Sequence, residues 1–173
     1  MLKGNSVILT RAGTDDSELL YKWRSDPTIY KNFANQDELN FDHHKKWFEK
    51  NSDNYYFIIS DLKGQALGLT LLENIDLRNR RCFWGVYIAE KRHRGQGYAH
   101  DASKLALKFG FEYLNLNKIY GTTLSINERG RQFHENLGFK EEAVLSEFCF
   151  FKGVYNDLIY ISIKKDDLKK NDL

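Results

Sequence analysis

The sequence predicts a single α+β domain, with helices on both faces of one mixed, mostly antiparallel sheet of about seven strands. The chain has 173 residues, of which 42% are hydrophobic, and this length suits one core. No repeat, low-complexity tract or Pro/Gly/Ser-rich linker divides it. Short apolar runs separated by turn residues fill the middle, and one long stretch with helical periodicity follows them.

The N-terminal part is predicted to form one strand and two helices. Residues 6–11 alternate as a strand. Asp15 with Glu18 three positions later resembles a capping box, which opens a helix that ends before Pro27. Asp42 is placed to cap the second helix.

The middle of the chain is predicted to be an antiparallel meander. Its first strand contains the apolar run 55–59, and the turn 61–64 carries a glycine. Residues 68–73 pair back across that turn, residues 76–79 connect, and residues 82–89 form a further strand.

The C-terminal half alternates helices and strands. The predicted order is helix, strand, helix, strand, strand, at residues 99–116, 118–124, 127–136, 139–151 and 155–163. Gly138 suits the left-handed conformation that ends many helices. The charged residues from Lys164 onward are not expected to pack. The domain is therefore expected to span residues 1–165, with a charged tail at 166–173.

Composition limits the function classes. Lysine and arginine total 26 against 24 acidic residues, so the net charge of +2 gives little attraction to nucleic acid or anionic membranes. Cys82 and Cys149 are far apart and lack the spacing of a metal site, so we expect reduced thiols and no metal. Neither a signal peptide nor a membrane-spanning run is evident, and a cytoplasmic protein is expected.

A glycine-bearing turn joins a strand to the long helix. Segment 92–97 reads Arg-His-Arg-Gly-Gln-Gly, and the helix starts directly after it. Free N–H groups at a helix N-terminus, with glycines ahead of them, suit a pyrophosphate, and Lys91, Arg92 and Arg94 would add mobile positive charge. Taken alone, the glycines fit a tight connection on a basic surface equally well. The dinucleotide and phosphate-loop patterns are incomplete or absent.

Arg92-x-x-Gly95-x-Gly97 resembles the acyl-coenzyme A turn of the GNAT acetyltransferase superfamily. Segment 127–139 resembles the second cofactor motif of that superfamily, at the expected distance, and the resemblance covers nearly the whole chain. Three stretches, at 22–27, 44–48 and 84–88, resemble one branch of it. This branch holds ribosomal-protein N-terminal, spermidine and nucleotide-linked amino-sugar acetyltransferases. The amino-sugar enzymes of the pseudaminic acid pathway are the nearest match, because they share the Trp-Arg helix and a histidine at the place of His134.

The resemblance implies acetyl-coenzyme A (acetyl-CoA) as the co-substrate. Strand 84–88 would splay from strand 118–124, and the Ile88 N–H would stabilise the oxyanion. Asn127 would touch the pantetheine. The residues expected to contact acetyl-CoA are Tyr87, Ile88, Arg92, Arg94, Gly95, Gln96, Gly97, Tyr98, Ala99, Asn127 and Arg131.

The expected chemistry is direct attack of a neutral amine on the thioester. His134 stands where many relatives have an acidic tyrosine; it would protonate the leaving thiolate, with an ordinary pKa of about 6.5, or serve only as a structural residue. Phe83 replaces the glutamate that relatives use as base. Ordered water could act in its place. The substitute side chains are each more simply read as solvated polar residues: Glu73, Asp76, Glu90, His43 and His44.

The acceptor is expected to be a small-molecule amine, with a nucleotide-linked amino sugar leading. The resemblance places Arg24, Tyr30, His44, Trp47 and Tyr155 around it, although Trp23 and Trp47 fit a core position better. Arg24 could hold a phosphate bidentately. A polyamine, a ribosomal-protein N-terminus and a non-catalytic acyl-CoA sensor remain alternatives, and the basic residues near Arg24 are offset by acidic ones that include Asp37 and Glu38. A homodimer is left open.

Overall fold

Eight strands form one sheet in the computed structural model, which describes residues 1–34, 39–51, 53–151 and 153–168. The strands are β1 (Leu2–Lys3), β2 (Val7–Arg11), β3 (Tyr55–Asp61), β4 (Ala66–Asp76), β5 (Arg81–Ile88), β6 (Lys118–Leu124), β7 (Lys140–Phe151) and β8 (Val154–Lys164). The helices are α1 (Ser17–Arg24), α2 (Pro27–Tyr30), α3 (Phe41–Lys50), α4 (Tyr98–Lys108), α5 (Glu128–Asn136) and α6 (Lys165–Leu168).

The sheet has the order β1-β2-β3-β4-β5-β6-β8-β7, and its pairs are antiparallel except for the parallel pair β5 and β6. The predicted mixed α+β sheet with helices on both faces is confirmed. The prediction of about seven strands did not include β1, whose two residues pair with β2 through Leu2 and Leu9. Two residues are too few to give a periodic pattern.

Strand alternation divides the core into two apolar layers. On β3, Phe57 and Ile59 belong to the layer that contains Ala102 and Ala106 of α4. Tyr56 and Ile58, on the opposite face, belong to a second layer with residues of α1 and α3, among them Leu20, Trp23 and Phe48. Burying a large apolar side chain contributes about 1.5–3 kcal/mol, so these layers hold the helices against the sheet.

Both predicted helix caps are wrong by one or two positions. Before α1, the Asp16 carboxylate, rather than Asp15, accepts a hydrogen bond of 2.8 Å from the Gly13 N–H. At α3, the Asn40 side chain accepts from the N–H groups of Asp42 (3.0 Å) and His43. Asp16 occupies the N-cap position of α1 but makes no side-chain bond to the N–H groups of that helix, whereas Asn40 caps α3 with its side chain. Neighbouring polar residues obscured both positions in the sequence.

α1 ends before Pro27, as predicted. Pro27 also starts a second short helix, α2, which was not predicted. The Asp26 carboxylate caps α2 by accepting from the Thr28 N–H at 2.7 Å. Proline is favoured at the first helical position because its missing N–H would be unpaired there. A helix of four residues is too short to show helical periodicity.

The ends of the long helix and of the chain also differ from expectation. After Lys108 the helix continues as a π-helix at Phe109–Tyr113. The wider turn changes which residues face inward, so Tyr113, predicted on the apolar face, is 74% exposed. The tail prediction missed α6, where Asp167 forms an ion pair of 2.9 Å with Lys140. Residues 169–173 lie outside the described part of the chain.

Candidate active site

The gap between β5 and β6 is the central feature of the site. Their parallel pairing ends at Phe83 and Tyr120, and no register pair joins the strands beyond that point. β6 continues against β8 as far as Leu124. Because the two strands are parallel, their carboxyl ends lie at the same edge, and the helices that follow, α4 and α5, both begin beside the gap. The expected splay of strands 84–88 and 118–124 is present.

The edge of β5 that faces β6 directs the Ile88 N–H into this gap. The Ala89 N–H donates to the Leu67 carbonyl at 2.8 Å, and Ile88 lies opposite Gly68. Successive residues of an antiparallel strand alternate between bonding to the neighbour and pointing away from it, so the Ile88 N–H points away from β4. This orientation is the one that an oxyanion donor at Ile88 requires.

Gly68 allows a close approach of β4 to the end of β5. A Cβ on Gly68 would lie 2.1 Å from the Tyr87 carbonyl oxygen, which is far inside van der Waals contact. Only glycine fits without moving the backbone next to Ile88.

The turn before α4 has the geometry of an anion-binding loop. Gly95 and Gly97 have φ angles of +80° and +85°, and the first bond of α4 runs from the Asp101 N–H to the Gly97 carbonyl at 3.0 Å. The N–H groups of Tyr98 and Ala99 therefore have no partner within the helix. Such N–H groups at a helix N-terminus suit an anion, and a pyrophosphate at this turn stays a prediction.

Arg94 does not supply mobile charge to the turn, so that expectation is wrong. Its guanidinium donates from Nε to the Ile88 carbonyl at 2.9 Å and from a terminal nitrogen to the Ala89 carbonyl at 2.7 Å. A further bond of 3.1 Å reaches the Thr28 hydroxyl. Arg92 stays at the surface, where it pairs with Glu90 at 2.6 Å.

A different arginine, Arg129, lies beside the turn. Its terminal nitrogen would be 3.3 Å from a Cβ on Gly95, whereas the predicted Arg131 pairs with Glu141 at 2.9 Å. Asn127 caps α5 through its side-chain oxygen, which accepts from the Gly130 N–H at 3.1 Å. Arg129 was not among the predicted residues, although its place in the first turn of a helix that follows a parallel strand is a signal for such a contact.

His134 lies in an aromatic environment. Its ring is 5.8 Å from that of Trp84 and 6.0 Å from that of Phe139, and Nδ1 is buried without a partner among the described residues. Burial lowers the pKa of His134 to about 4, well below the ordinary histidine value of about 6.5. This shift favours the neutral ring over the imidazolium at neutral pH. The neutral ring can still donate one hydrogen bond.

Tyr87 faces the α1 side of the sheet, where acceptor residues were expected. Its ring lies 6.4 Å from that of Trp23 and 6.0 Å from that of Phe33. The Arg24 guanidinium lies over Phe33, at 4.5 Å from the ring centroid. Arg24 and Tyr87 therefore both contact the ring of Phe33.

Glu73 is the one proposed base candidate with a raised pKa among the described residues. Its carboxylate accepts a hydrogen bond of 2.6 Å from the Tyr56 hydroxyl. Burial raises the Glu73 pKa, while the Tyr56 hydrogen bond and Arg24 partly offset that effect. The other candidates differ: Asp76 binds Asn79 and Arg81, Glu90 binds Arg92, and His43 is exposed.

Two of the acceptor candidates, His44 and Trp47, lie on α3. His44 is buried between the rings of Tyr21 and Trp47, and burial followed by Arg24 lowers its pKa. Trp47 is 45% exposed and contacts Tyr56, so the prediction of a core position holds for Trp23 but not for Trp47.

The other two acceptor candidates lie at the end of α2 and near the start of β8. Tyr30 ends α2 and is partly exposed. Tyr155 is exposed and packs on Phe150. Asp37 and Glu38 lie outside the described residues.

The described part of the chain has neither a cluster of metal ligands nor a helix that could span a membrane. No three His, Cys, Asp or Glu side chains there are grouped as metal ligands would be. No helix in those ranges has the length and apolar character needed to cross a bilayer.

Known proteins match both the sequence and the fold. A family model described as an acetyltransferase (GNAT) domain matches residues 6–140. A spermidine N(1)-acetyltransferase of Vibrio cholerae is 29% identical over 144 residues, which cover 83% of this chain and 79% of that protein. A putative ribosomal N-acetyltransferase of Bacillus subtilis is 32% identical over 102 residues, covering 59% and 55%.

A solved structure has a fold similar to that of this chain. The crystal structure of spermidine N-acetyltransferase from Vibrio cholerae in complex with CoA and spermine has a TM-score of 0.86 against this chain. The identity is 24%, over 93% of this chain and 96% of that one, and the likeness confirms the fold.

Proposed function

This chain belongs to the GNAT acetyltransferase family, and from that premise we propose that it transfers the acetyl group of acetyl-CoA to an amine of a linear polyamine. The observation that carries the transfer is the gap between β5 and β6, with an N–H of Ile88 directed into it and two helix N-termini beside it. Its place at the ends of parallel strands fits a phosphate-bearing co-substrate.

The proposed reaction needs no covalent enzyme intermediate. The neutral amine attacks the thioester carbonyl, the Ile88 N–H stabilises the oxyanion, and the carbon–sulfur bond then breaks. His134 donates a hydrogen bond to the departing thiolate from its neutral ring, and solvent water supplies the proton. We assign removal of the ammonium proton to water in the gap.

Charge favours a polyamine over an amino-sugar nucleotide at the acceptor wall, by which we mean the α1 side of the sheet around Arg24, Phe33 and Tyr87. Glu73 places a carboxylate there, and it moderates the positive charge of Arg24, which would otherwise attract a phosphate. The spermidine acetyltransferase of Vibrio cholerae, similar over most of both chains, supports the same class. The ribosomal-protein alternative is supported by a match over a shorter part of the chain.

Glu73 is placed to bind an amine far from the reacting one. It lies opposite Phe83, five positions before Ile88, which corresponds to about 16 Å along the strand. The Glu73 carboxylate accepts a hydrogen bond from the Tyr56 hydroxyl. Tyr56 lies opposite Leu71 in the β3–β4 pair, and Leu71 is two positions nearer the gap than Glu73, so the carboxylate is directed toward the gap. A long acceptor with a second ammonium group can reach both places, whereas a compact monoamine cannot.

A thioester-consumption assay over spermidine, a nucleotide-linked amino sugar and a peptide N-terminus tests this proposal. We expect spermidine to be the preferred acceptor. Glu73→Gln should raise the KM for spermidine about tenfold, because it removes a charge-assisted bond of roughly 1.5 kcal/mol. Glu112→Gln, an exposed carboxylate in the π-helix, is the matched control. Preference for the amino sugar, or an unchanged KM in Glu73→Gln, would refute the polyamine assignment.

We also propose that the chain forms a homodimer through its edge hairpin. β7 is an edge strand, and four large apolar side chains at the end of the β7–β8 hairpin are exposed: Phe148, Phe150, Val154 and Tyr155. Exposed apolar groups on an unpaired edge are typical of a surface that another chain covers.

A further inference from the structure

We propose that Arg94 and Thr28 couple the two substrate sites, so that acetyl-CoA bound at the turn stabilises α2 at the acceptor site. This inference rests on the proposed function and assigns Arg94 a positioning role that the sequence motif does not explain. It predicts that acetyl-CoA prepares the enzyme to bind its acceptor.

The Arg94 guanidinium joins three parts of the molecule. It donates to the carbonyls of Ile88 and Ala89, at 2.9 and 2.7 Å, which end β5 beside the gap. Its third bond, of 3.1 Å, reaches the Thr28 hydroxyl, 66 positions earlier in the chain. Arg94 itself immediately precedes Gly95 of the turn, so one partly buried side chain connects the cofactor turn, the reacting strand edge and α2.

The position of α2 depends on such contacts because a helix of four residues has no stability of its own. Contacts that hold it include the Asp26 cap on the Thr28 N–H, the buried Ile29 side chain and the Arg94 bond. The Thr28 hydroxyl also hydrogen-bonds to the Asp26 carboxylate. Asp26 adds a favourable charge: the hydrogen bond from the Thr28 backbone lowers its pKa most, and Arg94 and Lys91 lower it further.

Residues on both sides of this contact belong to the acceptor region. α1 ends at Arg24, and α2 ends at Tyr30. A displacement of α2 would therefore move the acceptor wall without altering the pyrophosphate turn.

Acetyl-CoA would act by ordering the turn. A pyrophosphate held by the N–H groups around Gly95 and Gly97 restricts the backbone that carries Arg94. An Arg94 that is already ordered loses less conformational entropy when it bonds to Thr28, so α2 opens less often. Reciprocity then requires that a bound acceptor strengthens acetyl-CoA binding by the same factor.

The test compares wild type with Thr28→Val and Thr28→Ser. Valine has nearly the shape of threonine but lacks the hydroxyl, whereas serine retains it. Hydrogen exchange of the amides of Ile29 and Tyr30, which bond to the Asp26 carbonyl at 2.9 and 3.0 Å, is measured with and without saturating acetyl-CoA. Calorimetry gives the acetyl-CoA affinity, and thermal unfolding checks that each variant folds.

We expect acetyl-CoA to slow exchange in α2 several-fold in wild type and Thr28→Ser, and to have little effect in Thr28→Val. The Thr28→Val protein should keep its acetyl-CoA affinity in the absence of acceptor, while the KM for spermidine rises about five- to tenfold and kcat changes less than twofold. Full α2 protection in Thr28→Val, or acetyl-CoA binding without α2 protection in wild type, would overturn the coupling. Failure of wild type to bind acetyl-CoA at all would instead refute the proposed function.

Discussion

At the residue scale, His134 shows how an environment changes the chemistry that a residue type suggests. A histidine in place of an acidic tyrosine predicts a proton donor near neutral pH. In the folded protein the ring lies beside those of Trp84 and Phe139, and burial lowers its pKa to about 4, which favours the neutral imidazole. The sequence places His134 in the second motif, but it does not show which aromatic rings surround the side chain in the fold.

The low pKa of His134 makes stability depend on pH. The unfolded chain binds a proton at His134 below about pH 6.5, whereas the folded protein binds it only near pH 4. Stability from neutral His134 is therefore present above pH 6.5 and falls as the pH drops toward 4, by up to roughly 3 kcal/mol. His134→Phe should remove this loss, and the exposed His43→Phe should retain it.

Denaturant unfolding at several pH values between 4 and 7 measures this effect. A His134→Phe protein with the pH dependence of wild type would show that the ring is solvated. The pH dependence of kcat should likewise lack a limb from His134 above about pH 5.

Arg129 and Arg131 give opposite predictions for acetyl-CoA binding. Arg129 lies next to Gly95, and Arg131 is held by Glu141. Arg129→Ala should weaken acetyl-CoA binding about tenfold, because it removes a charge beside the pyrophosphate, while Arg131→Ala should have a smaller effect. Calorimetric titration ranks the two variants. The reverse order would restore Arg131, the residue predicted from the sequence, as the phosphate contact.

At the scale of elements, the glycine turn offers a matched comparison. Gly97 and Gly64 have φ angles of +85° and +87°, and a Cβ on either would meet no atom within 4 Å. Alanine at each position should destabilise the fold by about 1 kcal/mol, since both conformations favour glycine.

Only Gly97→Ala should also weaken acetyl-CoA binding, because its Cβ would enter the space that the pyrophosphate needs. Thermal unfolding and calorimetry separate the two effects. Equal acetyl-CoA affinity in the Gly97 and Gly64 variants would place the phosphates elsewhere.

Long periodic elements could be predicted from the sequence, and contacts between them could not. The strands of the meander and the helix α4 have clear periods, so their order was predicted correctly. The hydrogen bond between Glu73 and Tyr56 depends on how β3 and β4 pair, which the sequence does not specify residue by residue. The bond between Arg94 and Thr28 joins residues 66 positions apart and has no local pattern.

At the scale of the whole molecule, the edge hairpin should control assembly. Phe150 is 62% exposed and packs on Tyr155, so Phe150→Glu would place a charge on the surface proposed to be covered. Sedimentation should show wild type as a dimer and Phe150→Glu as a smaller, folded species. Leu77→Glu, a similar change at an exposed leucine between β4 and β5, is the control. A monomeric wild type would contradict the proposed homodimer.

The central claim is that the chain passes an acetyl group directly from acetyl-CoA to an amine. Mass spectrometry of a single turnover with spermidine, using acetyl-CoA that is isotopically labelled in the acetyl group, tests it most directly. We predict that the label appears on spermidine and at no time on the protein, including the buried thiols Cys82 and Cys149. Label trapped on the protein as an obligatory intermediate, or hydrolysis of the thioester with no labelled amine from any acceptor class, would contradict this account.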